Sequence, residues 1–200
     1  MRWMGLALAC LLGACVAQSA LPVGKWYSTV SGIAPSPSNR VWVCHGFGCH
    51  FKSTVTFSRQ DLRTMRRIMG RPRTAKAERA RIARLISWAE KRVAKEAGSA
   101  GDVGGLDLHN ARKRGQMDCI DEATNTTSYL LIAQQNGLLR HHTVASPVAR
   151  GFFLDGRYPH ATAVIDAGET AYAVDSWPNR NGVAPDIMPL ETWFARSSAS

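Results

Sequence analysis

Cys119, His160 and Asp175 have the side-chain types of a thiol-based acyl-transfer site. Such a site needs a sulfur nucleophile, an imidazole to take its proton, and a carboxylate on the far imidazole nitrogen to fix the tautomer. The cysteine lies 41 residues before the histidine, and the histidine 15 before the aspartate. A surface His–Asp pair with a buried, inert cysteine is the plain alternative.

The surrounding sequence predicts elements that would bring the three together. Asp118 suits a helix cap, and a helix runs from there to about Gln135, stopping at Gly137. Ile120, Ala123, Thr127, Leu130 and Leu131 form its expected buried stripe. Cys119 sits in the first turn, where free N–H groups and the helix dipole favour thiolate, while Asp121 and Glu122 oppose it. His160 to Ile165 and Thr170 to Asp175 alternate like strands, with a turn at Asp166–Glu169. If Ala167-Gly168 is a two-residue turn, 164 faces 171, 162 faces 173, and His160 faces Asp175. A slip of one residue would separate the pair.

Cys119 followed by Asp121-Glu122-Ala123, Gly137 closing the helix, His160-Ala161 opening a strand and Val174-Asp175-Ser176 ending the next resemble the transglutaminase-like superfamily. The pattern is nearest the bacterial transglutaminase-like cysteine peptidases and covers roughly residues 100–178. The resemblance implies an α+β, papain/transglutaminase-like core with the cysteine helix packed on an antiparallel sheet. It implies Cys119 as nucleophile, His160 as base and then acid, and Asp175 as orienter. The backbone N–H of Cys119 is the natural oxyanion donor; the Gln116 side chain is a second candidate, or a plain loop glutamine. No metal or cofactor is called for, and Ile120 stands where those peptidases often carry a second acid.

Upstream, Val41–Cys44 and Cys49–Phe51 flank a glycine-rich turn and predict a hairpin continuing through Val55 and Phe57. Cys44 and Cys49 are expected to pair as a disulfide in an oxidising compartment. A zinc site from Cys44, His45, Cys49 and His50, or a lengthened haem-attachment motif, is the alternative, though one tight loop does not easily supply four tetrahedral ligands. His141-His142 reads as surface histidines on adjacent, opposed faces. Trp177 either walls the site or packs on the core.

Between hairpin and cysteine helix, residues 59–97 hold 13 Lys/Arg against 4 Asp/Glu. They read as two basic helices, one capped by Ser58 and stopped by Gly70, the next capped by Thr74 and ending near Ala97 before Gly98. A solvated basic face, resting on anionic lipid or cell-wall polymer, is preferred to nucleic-acid binding for an exported chain. The chain as a whole has 200 residues, 45% hydrophobic, with net charge +10 and five cysteines. That excludes wholesale disorder, a disulfide-dense mini-scaffold and a polytopic membrane protein.

The N-terminus reads as an address. Met1-Arg2 and the apolar run Trp3–Ala14 resemble a secretory leader, and Leu12-Gly13-Ala14-Cys15 resembles the lipobox of bacterial lipoproteins, with Cys15 lipidated. The rival is an ordinary signal peptide cut after Ala17 or Ala20. The expected organisation is therefore a leader over 1–14, a tether over 15–40, the hairpin and basic helices over 41–97, and a catalytic domain over 98–200. The expected location is the bacterial cell envelope, at the periplasmic side of the outer membrane or free in the periplasm. The expected function is an exported thiol hydrolase or acyl transferase acting on peptide, protein or cell-wall amide bonds. A non-catalytic envelope lipoprotein using its basic helices as a binding scaffold is the alternative.

Overall fold

The structure, a computed structural model, describes residues 22–151 and 159–196. The leader and Cys15 lie outside the described residues. Among the described residues, five α-helices and two antiparallel sheets make an α+β fold. In chain order they are α1 (Val23–Thr29), β1 (Arg40–His45), β2 (Phe51–Thr56), α2 (Arg59–Met69), α3 (Ala75–Ala97), α4 (Cys119–Gln135), β3 (Thr143–Arg150), β4 (His160–Asp166), β5 (Ala171–Asp175), β6 (Asp186–Pro189) and α5 (Leu190–Ala195). The small sheet is β1-β2, and the larger runs β3-β4-β5-β6. No helix among the described residues is long and apolar enough to cross a membrane.

The helices begin and end where capping chemistry places them. Ser58 and Asp61 form a capping box on α2, Thr74 accepts the Ala77 N–H at the start of α3, and Gly98 closes α3 in the left-handed region at φ 73°. Asp118 and Asp121 form the corresponding box on α4.

Helix α4 packs on β4, β3 and β1, with α3 also against it. It is buried almost all round, not along one stripe, and Ile120 and Leu131 are its half-exposed positions. The expected stripe fails because polar side chains on the other faces are also covered and find partners. Thr127 and Ser128 donate to the carbonyls of Ala123 and Thr124, Trp26 Nε1 donates to Thr124 Oγ1 at 2.9 Å, and Tyr27 shares a hydrogen bond with Ser128. Trp26 and Tyr27 belong to α1, so the span expected to be a tether includes a helix docked on α4. One continuous core joins Val41, Val55, Ile82, Leu85 and Ile86 to Tyr129, Leu130, Ile165 and Val174. The basic helical segment and the cysteine-bearing segment therefore share their apolar interior.

His142, expected at the surface, is only 4% exposed; its Nε2 faces the Arg79 guanidinium, so Nδ1 carries the proton and donates to Glu78 Oε2 at 2.8 Å. Glu78 is itself fully buried and accepts the backbone N–H groups of Arg140 at 2.6 Å and His141 at 2.8 Å. This single carboxylate fixes the α4–β3 connection to the first turn of α3. Replacing it by alanine strands two backbone donors and an imidazole in the interior, a loss of about 3 kcal/mol. Urea unfolding is expected to show that loss for Glu78→Ala and a smaller one for Glu78→Gln, which keeps an acceptor.

Candidate active site

Cys119 is the first residue of α4, and a left-handed turn built by β1 and β2 sets where that residue lies. Gly46, Phe47, Gly48 and Cys49 all have positive φ, from 59° to 85°. The strain at Phe47 and Cys49, about 1 kcal/mol or more each, persists only because surrounding bonds demand it. Gly46 cannot be replaced easily, since a Cβ there would lie 2.5 Å from the Phe51 ring. The Cys44–Cys49 disulfide closes the turn, as the spacing of the two cysteines suggested. Its successive N–H groups point at α4: Phe47 and Cys49 donate to the two oxygens of Asp121 at 2.8 and 2.6 Å, and Gly48 donates to Asp118 at 3.0 Å. One turn further along, Asn125 accepts the Cys44 N–H at 2.7 Å and donates to the Cys44 carbonyl at 2.8 Å.

These bonds also bear on metal binding. The sulfurs of Cys44 and Cys49 and a carboxylate oxygen of Asp121 lie within 4.8 Å of one another. As a disulfide the sulfurs are not thiolate ligands, and both Asp121 oxygens already accept backbone N–H groups. The arrangement fits a structural staple. His45 serves the same end, taking the Gly115 N–H on Nδ1 and bonding Ser53 through Nε2.

The larger sheet brings His160 and Asp175 together, by a different register from the expected one. Asp166 pairs with Ala171, Ile165 with Tyr172, Val164 with Ala173 and Ala163 with Val174. The loop is four residues long because Asp166 Oδ1 captures the Gly168 N–H at 2.7 Å and Ala167 N–H reaches the Thr170 carbonyl. Asp175 then faces Thr162, two positions from the predicted partner. A slip of two preserves the sheet face, so the histidine and aspartate meet diagonally instead of directly. His160 Nε2 and Asp175 Oδ2 are 2.7 Å apart, both side chains nearly buried.

Asp175 Oδ2 also accepts the indole N–H of Trp193 at 2.8 Å. Trp193, on α5, is fully buried, and its ring lies 5.3 Å from the His160 ring. The sequence reading missed this residue; the apolar spacing of Leu190, Trp193 and Phe194 was the available signal. On the other flank the Trp177 ring lies 4.5 Å from His160 and packs on the cluster of Cys119, Ala123 and Ala161. Trp177 thus touches both the imidazole and the surroundings of the sulfur. Because Asp175 can only accept, Nε2 carries the imidazole proton, and Nδ1 is left as a buried acceptor with no hydrogen-bond partner among the described residues.

Cys119 abuts the backbone on either side of His160. Its Sγ donates to the Pro159 carbonyl at 3.7 Å and is approached by the Ala161 N–H. The hydrogen-bond acceptor within reach of the thiol is thus that carbonyl, and no hydrogen bond joins Cys119 and His160. Burial, followed by the charge of Asp118, pushes the thiol up to about 12 against the Ala161 N–H. The thiolate-favouring effect of the helix start is therefore outweighed. Gln116, the second oxyanion candidate, braces the preceding loop: Nε2 donates to the Gly101 carbonyl at 2.9 Å and Oε1 accepts from Val103.

More acid lies beneath the site. Glu90 on α3 and Glu122 on α4 are each 3% exposed, and each has one carboxyl oxygen with no hydrogen-bond partner among the described residues. Glu90 accepts the Gly182 N–H at 2.7 Å, in the loop that follows Asp175. Burial, with Asp102 adding, pushes Glu90 up to about 7 against Gly182 and Ser176. Burial likewise raises Asp102 to about 7, and burial followed by the charge of Glu90 lifts Glu122 well above the carboxylate range.

A folded chain that holds these protons more tightly than the unfolded one loses stability as pH rises between the two titrations. The melting temperature is therefore expected to fall from pH 5 to pH 8, and Glu90→Gln is expected to flatten that slope. An unchanged slope in Glu90→Gln would show that Glu90 titrates in the fold as it does in the unfolded chain. No protein-family model, curated protein or solved structure matches this chain.

Proposed function

We propose that this chain is a thiol hydrolase or acyl transferase of the transglutaminase-like type, cleaving amide or peptide bonds through Cys119, His160 and Asp175. The observation that carries the reading is the buried His160–Asp175 hydrogen bond with Nδ1 left open beside the backbone that Cys119 touches. In the proposed reaction the Cys119 proton passes to His160 Nδ1 as sulfur attacks the carbonyl carbon. The imidazolium is held by Asp175, itself held by Trp193. Nδ1 then gives the proton to the departing amine, leaving a thioester that water or a second amine resolves. The Cys119 N–H, in the first turn of α4 and without an intrahelical partner, supplies an oxyanion donor. The proposed place of action is the bacterial envelope, with peptide or cell-wall amides as substrate class.

A high thiol pKa does not exclude this chemistry, because a hydrogen-bonded base can take the proton during attack. It does require the Cys119–Pro159 hydrogen bond to be exchanged for one to His160. The same thiol–carbonyl bond favours a second reading, in which Cys119 is inert and the fold serves as an envelope-binding scaffold.

Alkylation with iodoacetamide at neutral pH, read by mass spectrometry on the Cys119 peptide, separates the two. The enzyme reading expects Cys119 to label at least about a hundredfold faster than a thiol titrating near 12 allows, with His160→Ala slowing it by about tenfold or more. Equal, slow labelling in wild type and His160→Ala would leave only the scaffold.

A further inference from the structure

The α2–α3 link and the α4–β3 link meet at the end of α4 remote from Cys119, about 25 Å away along the helix axis. Two adjoining clefts open there. Arg66, Arg71 and Arg140 line one; Arg71, Arg73, Arg140 and His141 line the other. All four arginines are exposed, and among the described residues none forms an ion pair with an acid. Two acids lie near these clefts: Glu78 is buried and bonded to the backbone of Arg140 and His141, and Asp166, which lines a neighbouring cleft with Arg140 and His141, accepts the Gly168 N–H and forms no ion pair with Arg140.

The backbone under the clefts is held rigidly. Glu78 ties down one link, and His141 Nε2 bonds the Pro72 carbonyl of the other at 3.2 Å. Helix-end carbonyls do not account for the arginines either: the last turn of α2 is served by Arg81, which donates to the Ile68 carbonyl at 3.0 Å. Composition points the same way. Residues 59–73 contain six arginines and no lysine. A merely solvated basic face has no need of that bias, whereas planar guanidinium forks match oxyanions bidentately. A carboxylate engages one fork, but a phosphate group, with more oxygens and up to two charges, can engage several converging ones.

We infer that the paired clefts form a binding site for phosphate groups, with Arg71 and Arg140 shared between the two halves. The phosphate is supplied either by headgroups of an anionic bilayer or by a soluble phosphate ester. Bound at this end, the molecule would hold Cys119 away from the phosphate-bearing surface.

The test uses the full chain in two arms at matched ionic strength. One arm is co-sedimentation with phosphatidylcholine vesicles with and without phosphatidylglycerol. The other is calorimetric titration with pyrophosphate, with acetate as the control anion. Arg71→Gln with Arg140→Gln is expected to weaken binding by about tenfold or more, while Lys113→Gln with Arg180→Gln, which removes equal charge elsewhere, changes it by less than about threefold. Arg66→Gln alone is expected to weaken it to a lesser degree, and thermal melts confirm that each variant is folded. Phosphatidylglycerol-dependent sedimentation assigns the site to headgroups, and pyrophosphate binding without it assigns the site to soluble phosphates. Equal losses in the two double variants, or binding in neither arm above the acetate control, would overturn the inference.

Discussion

The placement of the candidate nucleophile depends on two carboxylates, Asp118 and Asp121, receiving backbone N–H groups from a strained, disulfide-closed turn. Neither half is stable in that form alone. Phe47 and Cys49 at positive φ require compensation, and a buried aspartate requires donors for both oxygens. Each supplies what the other lacks. Asn125 extends the tie by one turn, and the loop before Cys119 is anchored by the Met117 N–H on Asp102 and the Gly46 N–H on the Gln116 carbonyl. The first turn of α4 is thereby fixed from both sides of Cys119.

That anchoring has an electrostatic consequence. Asp118, which caps the helix and holds Gly48, is also the strongest charge opposing ionisation of the Cys119 thiol. Position and acidity are in conflict at one residue. The proposed thiol chemistry therefore calls for transfer of the proton to His160 in step with attack, and not for a standing thiolate. The His160–Asp175–Trp193 chain suits that demand: a carboxylate held by an indole N–H cannot swing away from the imidazole when it becomes charged.

The parts of the fold set by local chemistry were legible from sequence. Ser58, Thr74, Asp118 and Gly98 mark α2, α3 and α4 because caps act within a turn of themselves. The hairpin and its disulfide followed from two cysteines five apart around glycines. The β4–β5 register was missed by two because the Asp166 side chain makes a longer loop than the glycine alone suggests, yet the pair survived because face parity is conserved. Elements α1, β6 and α5 are four to seven residues long, so they owe their shape to what they pack on and leave little periodicity to read. The roles of Glu78 and His142, sixty-four residues apart, exist only once the chain is folded.

The acidic motif after Cys119 shows how such residues divide their work. Asp121 is consumed by the turn, and Glu122 faces Glu90 in the interior, so neither is aimed at a substrate. Asp118 and Asp121 still serve the helix by closing the capping box at its N-terminal end. The molecule is thus polarised along α4, with buried acid around the sulfur and open guanidinium groups at the far end. A charge pattern of this kind requires little of the solvent at the acidic end, where carboxyl groups are bonded to backbone or hold protons. At the basic end no acid among the described residues forms an ion pair with the arginines, and that is where an external anion has most to gain.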